Sequence, residues 1–152
     1  MSEVFYQLDN IVDKYEAFEK IIKSCSIFDP LDKDIFLKKV VERERIQTTG
    51  MGHGVAIAHG KVEGIGKPLV ALGFSERGIK YDDIFAEPVH LIFVIASDVA
   101  QQNEYIKAVS SILSWVHNAD FRHNLSCSVG GSDCIEFLTM IKERDFHPFP
   151  AR

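Results

Sequence analysis

The sequence predicts an α/β domain in which a mixed β-sheet is layered with helices. Three observations carry this. Apolar residues recur at helical spacing near both ends of the chain, short β-prone apolar runs fill its middle, and a glycine-rich breaker separates the two regimes. The chain has 152 residues, 46% of them hydrophobic and 26% charged, which suits one globular domain with a buried core. It contains no internal repeat, low-complexity tract or linker, so residues 1–152 are read as a single domain.

Phe5, Leu8, Ile11, Val12, Tyr15, Phe18, Ile21 and Ile22 recur at helical spacing and predict an amphipathic first helix. Ser26 to Pro30 breaks it, and Asp32 is placed to cap a second helix. The apolar positions of that helix are Ile35, Phe36, Val40 and Val41. Glycines 50, 52 and 54 then impose a loop with unusual backbone angles. Val55 to Ala58 is a short strand, Pro68 to Ser75 a second and Pro88 to Ala96 a third, with Gly78 to Asp83 a short edge strand or turn. The third is apolar almost throughout, which predicts burial on both faces in the middle of the sheet. Asn103 to His117 returns to helical period with Ile106, Val109, Ile112, Leu113 and Val116 inward, and Asp133 to Lys142 is a last helix.

The formal charge of −5, with no face or tail that concentrates Lys and Arg, argues against nucleic acid. The run Lys38, Lys39, Arg43, Arg45 is interleaved with Glu42 and Glu44 and reads mostly as a solvated helix face. No signal peptide is expected, and the longest apolar run, Val89 to Ala96, is far short of the roughly 20 residues that span a membrane. Three widely spaced cysteines, Cys25, Cys127 and Cys134, suit reduced thiols packed as small hydrophobes in a cytoplasm.

Chemistry concentrates at His59, which follows the glycine loop and the short strand. Exposed amides at such a turn form an anion-binding concavity. A neutral imidazole is a nucleophile at cellular pH. Histidine, amide nest and a nearby arginine together suit a phosphoryl group, whose charge needs donors around it. A strand-end histidine bonded to a carbonyl fits the same residues, and spacing leaves both readings open. His53 and His59 supply no third and fourth metal ligands at a recognisable spacing, so no metal or other cofactor is expected. His90 reads as a satisfied sheet residue, His117, His123 and His147 as surface or helix-end residues, and Asp82-Asp83 as a solvated turn.

The stretch Arg43-Glu44-Arg45-Ile46-Gln47-Thr48-Thr49-Gly50-Met51-Gly52-His53-Gly54-Val55-Ala56-Ile57-Ala58-His59-Gly60 resembles the signature of the fructose/mannitol class of phosphotransferase-system enzyme IIA domains, which includes the nitrogen-regulatory IIA proteins. The similarity continues through Lys67 to Leu72 and Glu87 to Ile95 and covers roughly residues 5 to 145. The resemblance implies a mixed sheet flanked by helices on both faces. It implies that His59 accepts phosphate from the histidine phosphocarrier protein and passes it to an enzyme IIB domain. Arg43, sixteen residues before His59, matches the family's phosphate-stabilising arginine. Thr49 and the amides around Gly50 to Gly54 would shape the phosphate pocket.

The sequence departs from the family pattern twice. Ala58 stands where a proline usually precedes the histidine, which loosens the strand end and spares the nucleophile. Tyr105 stands where the family carries a second histidine. Its hydroxyl can bond a phosphate or orient an imidazole but carries no positive charge near neutrality, and a helix-surface aromatic is the other reading. Two functions follow from the resemblance. One is a free-standing cytoplasmic phosphoryl carrier of sugar uptake. The other is a IIA-like regulator that binds target proteins according to its phosphorylation, with weak or no onward transfer.

Overall fold

The computed structural model describes residues 4–52, 54–81 and 87–117. In chain order the elements are β1 (Phe5–Gln7), α1 (Lys14–Ser24), a 3-10 turn (Ser26–Phe28), α2 (Lys33–Ile46), β2 (Gly50–Gly52), β3 (Val55–Val62), β4 (Leu69–Ile79), β5 (Val89–Asp98) and α3 (Gln102–Val116). The expected last helix, Cys127, Cys134, His53, His123, His147 and Asp82-Asp83 lie outside the described residues.

The five strands form one mixed sheet in the order β1-β4-β5-β3-β2. β1 runs parallel to β4 and β3 parallel to β5, whereas β4–β5 and β2–β3 are antiparallel. β5 lies at the centre, and its residues are buried almost without break, as its apolar run predicts. Register assigns the two faces. Gly73, Ile92 and Ala56 are lateral neighbours and share a face by the alternation of side chains along a strand. That face packs on α1 and α2. A Cβ at Gly73 would meet Ile21 of α1, and one at Gly60, also even-numbered on β3, would meet Phe36, Val40 and Lys39 of α2. His59 therefore points to the other face, where Tyr105 of α3 meets it. The helices flank both faces.

Several elements differ from the expectation. Phe5 to Gln7 forms a strand because Val4 and Leu8 exchange backbone bonds with β4, Leu72 N donating to Val4 O at 2.8 Å and Leu8 N to Phe74 O at 2.7 Å. Asn10 then takes a positive φ of 59°, and Asp13 caps α1 by accepting from Glu16 N. The first helix thus starts at Lys14, and the spacing of Phe5, Leu8 and Ile11 mimics a helical period without forming one. Asp32 caps α2 as expected, accepting from Ile35 N at 3.1 Å. Ile35 itself is 54% exposed and Ile106 of α3 is 51% exposed, so neither is an inward position. The glycine segment forms the short strand β2 as well as turns. β3 runs four residues beyond the expected end at Ala58. Its parallel register with β5 is continuous from Val55 to Val62, so alanine in place of proline does not interrupt the ladder.

Candidate functional site

His59 is the fifth residue of β3 and pairs in register with Ile95 of β5. It is not at a strand end, as the sequence had implied. β2 pairs with β3 only at Val55 and Ala56, with Ile57 N donating to Thr49 O just beyond. Among the described residues no strand covers the outer edge of β3 at His59. Arg43, from the helix on the opposite face, reaches that edge. Lys39, Glu42, Arg43, Ile46, His59, Gly60 and Lys61 line a cavity of about 250 Å³ there.

Tyr105 closes the site from α3. Its hydroxyl lies 3.2 Å from His59 Nδ1, and the two rings are 5.0 Å apart at 44°. It is half-buried and meets the imidazole, so it is not a bare surface aromatic. The His59 pKa is lowered from 6.5 to about 4, first by burial of the ring and then by the Arg43 guanidinium and the Lys61 ammonium, against an opposing hydrogen bond to the Ile57 backbone and the charge of Glu44. The imidazole is neutral at cellular pH and stands in a positive field. That field disfavours histidinium and favours an anion at the same spot. Burial raises the Tyr105 phenol above its usual range, and Arg43 opposes this, so Tyr105 stays a neutral hydroxyl beside the ring.

Arg43 Nη1 donates to the Gln47 carbonyl at 2.8 Å. It forms no pair with Glu44, which is turned inward. The Glu44 carboxylate is fully buried and accepts from Lys14 Nζ at 3.0 Å, Thr49 N at 2.9 Å and Tyr81 OH at 3.3 Å, as well as from Thr49 Oγ1. Thr49 Oγ1 is also 2.7 Å from Tyr81 OH. Thr49 meets β3 through its carbonyl, which accepts from Ile57 N, but its hydroxyl is committed to this network and Thr49 does not line the cavity.

Gly54 immediately precedes β3, five residues before His59, and an extended strand puts it roughly 16 Å away. Its φ of 77° and its carbonyl, which accepts from His90 N and Leu91 N, serve the turn into β3. Its amide is not a neighbour of the imidazole. His90 Nδ1 is 2.8 Å from Ser75 O, a satisfied sheet histidine. Among the described residues no group of three or more His, Cys, Asp or Glu side chains is placed to hold a metal ion.

Sequence reasoning thus unites His59, Arg43 and Tyr105, and it misses Lys39, Lys61 and Glu44. Lys39 belongs to a run whose charges suggest a solvated face, yet it lies one turn before Arg43 and so shares its side of α2. Lys61 follows His59 by two on a strand, which puts both on one face. Glu44 continues the buried line Phe36, Val40 at steps of four, a charged residue where the spacing asks for an apolar one.

Residues 2–140 match the family described as phosphoenolpyruvate-dependent sugar phosphotransferase system, EIIA 2. The chain is 33% identical over 94 residues to the fructose-specific EIIA component of Haloferax volcanii, a stretch covering 62% of this chain and 61% of that protein. In fold it is similar to the nitrogen regulatory protein IIA-Ntr of Neisseria meningitidis, with a TM-score of 0.76 at 20% identity over 90% of this chain and 92% of that one. It is also similar to the complex of enzyme IIAMTL with phosphorylated enzyme IIBMTL from Escherichia coli. There the TM-score is 0.73 at 18% identity, over 90% of this chain and 94% of that one. No helix among the described residues is long and apolar enough to cross a membrane.

Proposed function

The chain belongs to the EIIA 2 family of the phosphoenolpyruvate-dependent sugar phosphotransferase system, and on that premise we propose that it is a cytoplasmic phosphoryl carrier that accepts phosphate on His59. The donor is the histidine phosphocarrier protein and the acceptor an enzyme IIB. The observation that carries this reading is a neutral imidazole held by Tyr105 at one ring nitrogen and flanked by Arg43 and Lys61.

In the neutral tautomer with its hydrogen on Nδ1, that N–H donates to the Tyr105 oxygen at 3.2 Å and the lone pair sits on Nε2. Nε2 attacks the incoming phosphorus as the donor's P–N bond breaks, and that bond's electron pair stays on the donor nitrogen. Nδ1 keeps its hydrogen, so the ring takes a positive charge that the negative charge of the bound phosphate offsets. Tyr105 thus holds the ring at the nitrogen away from the phosphorus, and Arg43 can leave the Gln47 carbonyl to face two phosphate oxygens at once. Lys61 and Lys39 add charge without fixed geometry.

A regulatory role is the second reading, and Tyr105 favours it. A phenol supplies no positive charge to assist departure of the phosphate, so the phosphohistidine would persist as a signal read by a protein target.

Incubation with phosphoenolpyruvate, enzyme I and the phosphocarrier tests the proposal. The expected result is an acid-labile, base-stable phosphate on wild type and none on His59→Ala. An unlabelled wild type refutes the carrier, and label surviving in His59→Ala refutes the site. Prompt transfer from labelled wild type to an enzyme IIB supports the carrier role, and retention of the label supports the regulator.

A further inference from the structure

We infer that Glu44 is a positioning residue: its buried carboxylate ties the end of α2 to Thr49 and so sets the Gln47 carbonyl that holds Arg43 beside His59. The effect on rate rests on the phosphoryl-acceptor reading of His59; the effect on geometry does not.

A carboxylate in the line of Phe36 and Val40 is costly to bury unless its oxygens are matched. Here they are matched from three directions. Lys14 comes from α1, Tyr81 follows β4, and Thr49 gives both its amide and its hydroxyl. Lys14 is itself held over the rings of Tyr81 and Tyr15, at 4.8 Å and 5.4 Å. An apolar residue would fill the same place without these demands. What the carboxylate adds is a fixed path for the chain between residues 44 and 49.

That path contains Gln47, the residue that ends α2 in an extended conformation with φ −161° and ψ 137°. Its carbonyl is thereby turned to accept from Arg43 Nη1 at 2.8 Å. Helix ends fray, and an arginine in a frayed last turn has many rotamers to lose before it meets a phosphate. The clamp on Glu44 anchors this turn to α1, β4 and β2 together. Arg43 therefore starts close to His59 before any phosphate arrives.

The test is a double-mutant cycle between Glu44→Gln and Arg43→Ala, read by transfer from the phosphorylated histidine phosphocarrier. Glu44→Gln is expected to slow transfer about 10-fold or more in the wild-type background and to add nothing once Arg43 is alanine. Equal slowing in both backgrounds would overturn the inference. A second readout needs no phosphate: the titration of the His59 ring by NMR in the same four proteins. Removing only the charge of Glu44 lowers the His59 pKa, whereas releasing Arg43 raises it. The expected shift in Glu44→Gln is upward, as in Arg43→Ala; a downward or absent shift contradicts the inference even if wild type accepts no phosphate. Should Glu44→Gln fail to fold, Thr49→Val and Thr49→Ser replace it. Valine is expected to move the His59 titration upward while serine, which keeps the hydroxyl, leaves it as in wild type; a valine variant that titrates like wild type overturns the inference.

Discussion

At His59, one ring nitrogen has a partner that orients the ring: Nδ1 lies 3.2 Å from the Tyr105 hydroxyl, and the proposed transfer uses Nε2 for the phosphorus. A neutral hydrogen bond of this kind contributes about 0.5–1.5 kcal/mol, or roughly 2–10-fold in rate if it acts on the reacting tautomer. Tyr105→Phe keeps the ring packed and removes the oxygen, so it is expected to slow acceptance of phosphate by about that factor while the melting temperature hardly moves. Stopped-flow or quenched-flow labelling measures it; an unchanged rate would show that the hydroxyl plays no part in orienting the imidazole. Tyr105→His restores a group that can carry charge, and faster transfer onward to an enzyme IIB is the expected gain.

Among the elements, α2 and β3 matter most, because Arg43 and His59 come from opposite faces of the sheet and meet at the β3 edge. The close approach of the two depends on Gly60. A Cβ there would lie 3.1 Å from Phe36 Cε1, 3.1 Å from Val40 Cγ2 and 3.3 Å from Lys39 Cβ. Gly60→Ala must push α2 away from β3 by a few tenths of an ångström. The expected cost is about 1–3 kcal/mol of stability, as for other overpacked contacts, together with slower transfer because Arg43 moves with its helix. Chemical denaturation and the labelling rate check the two parts. This level is also where the sequence was partly legible. β5 showed its burial through an unbroken apolar run, and Asp32 showed the start of α2. β1 was hidden because Phe5, Leu8 and Ile11 fit a helical period by accident, while its bonds to β4 come from residues more than sixty positions away. The pocket was legible only where a motif names a side chain. His59 and Arg43 are brought together, and Tyr105 joins them, but Thr49 and Gly54 belong to the clamp and to the turn. Those roles depend on Glu44 and His90, which only the fold brings near.

For the molecule as a whole, the buried neutral His59 couples folding to pH. Its pKa is about 4 in the folded protein, against 6.5 for an unperturbed imidazole. Between those values the unfolded chain holds a proton that the folded chain does not. Stability therefore falls as pH drops from 6.5 towards 4, and this group adds no further loss below that. His59→Gln removes the contribution, so its melting temperature is expected to fall less than that of wild type between pH 6.5 and pH 4.5. Parallel curves for the two proteins would mean that His59 titrates normally. The same burial and the same cations that keep the ring neutral suit it to the proposed role of nucleophile at cellular pH. The most direct measurement is nitrogen NMR of the His59 ring after phosphorylation from phosphoenolpyruvate. The expected result is phosphate on Nε2 with the hydrogen retained on Nδ1; phosphate on Nδ1, on another histidine, or nowhere would contradict the proposed carrier.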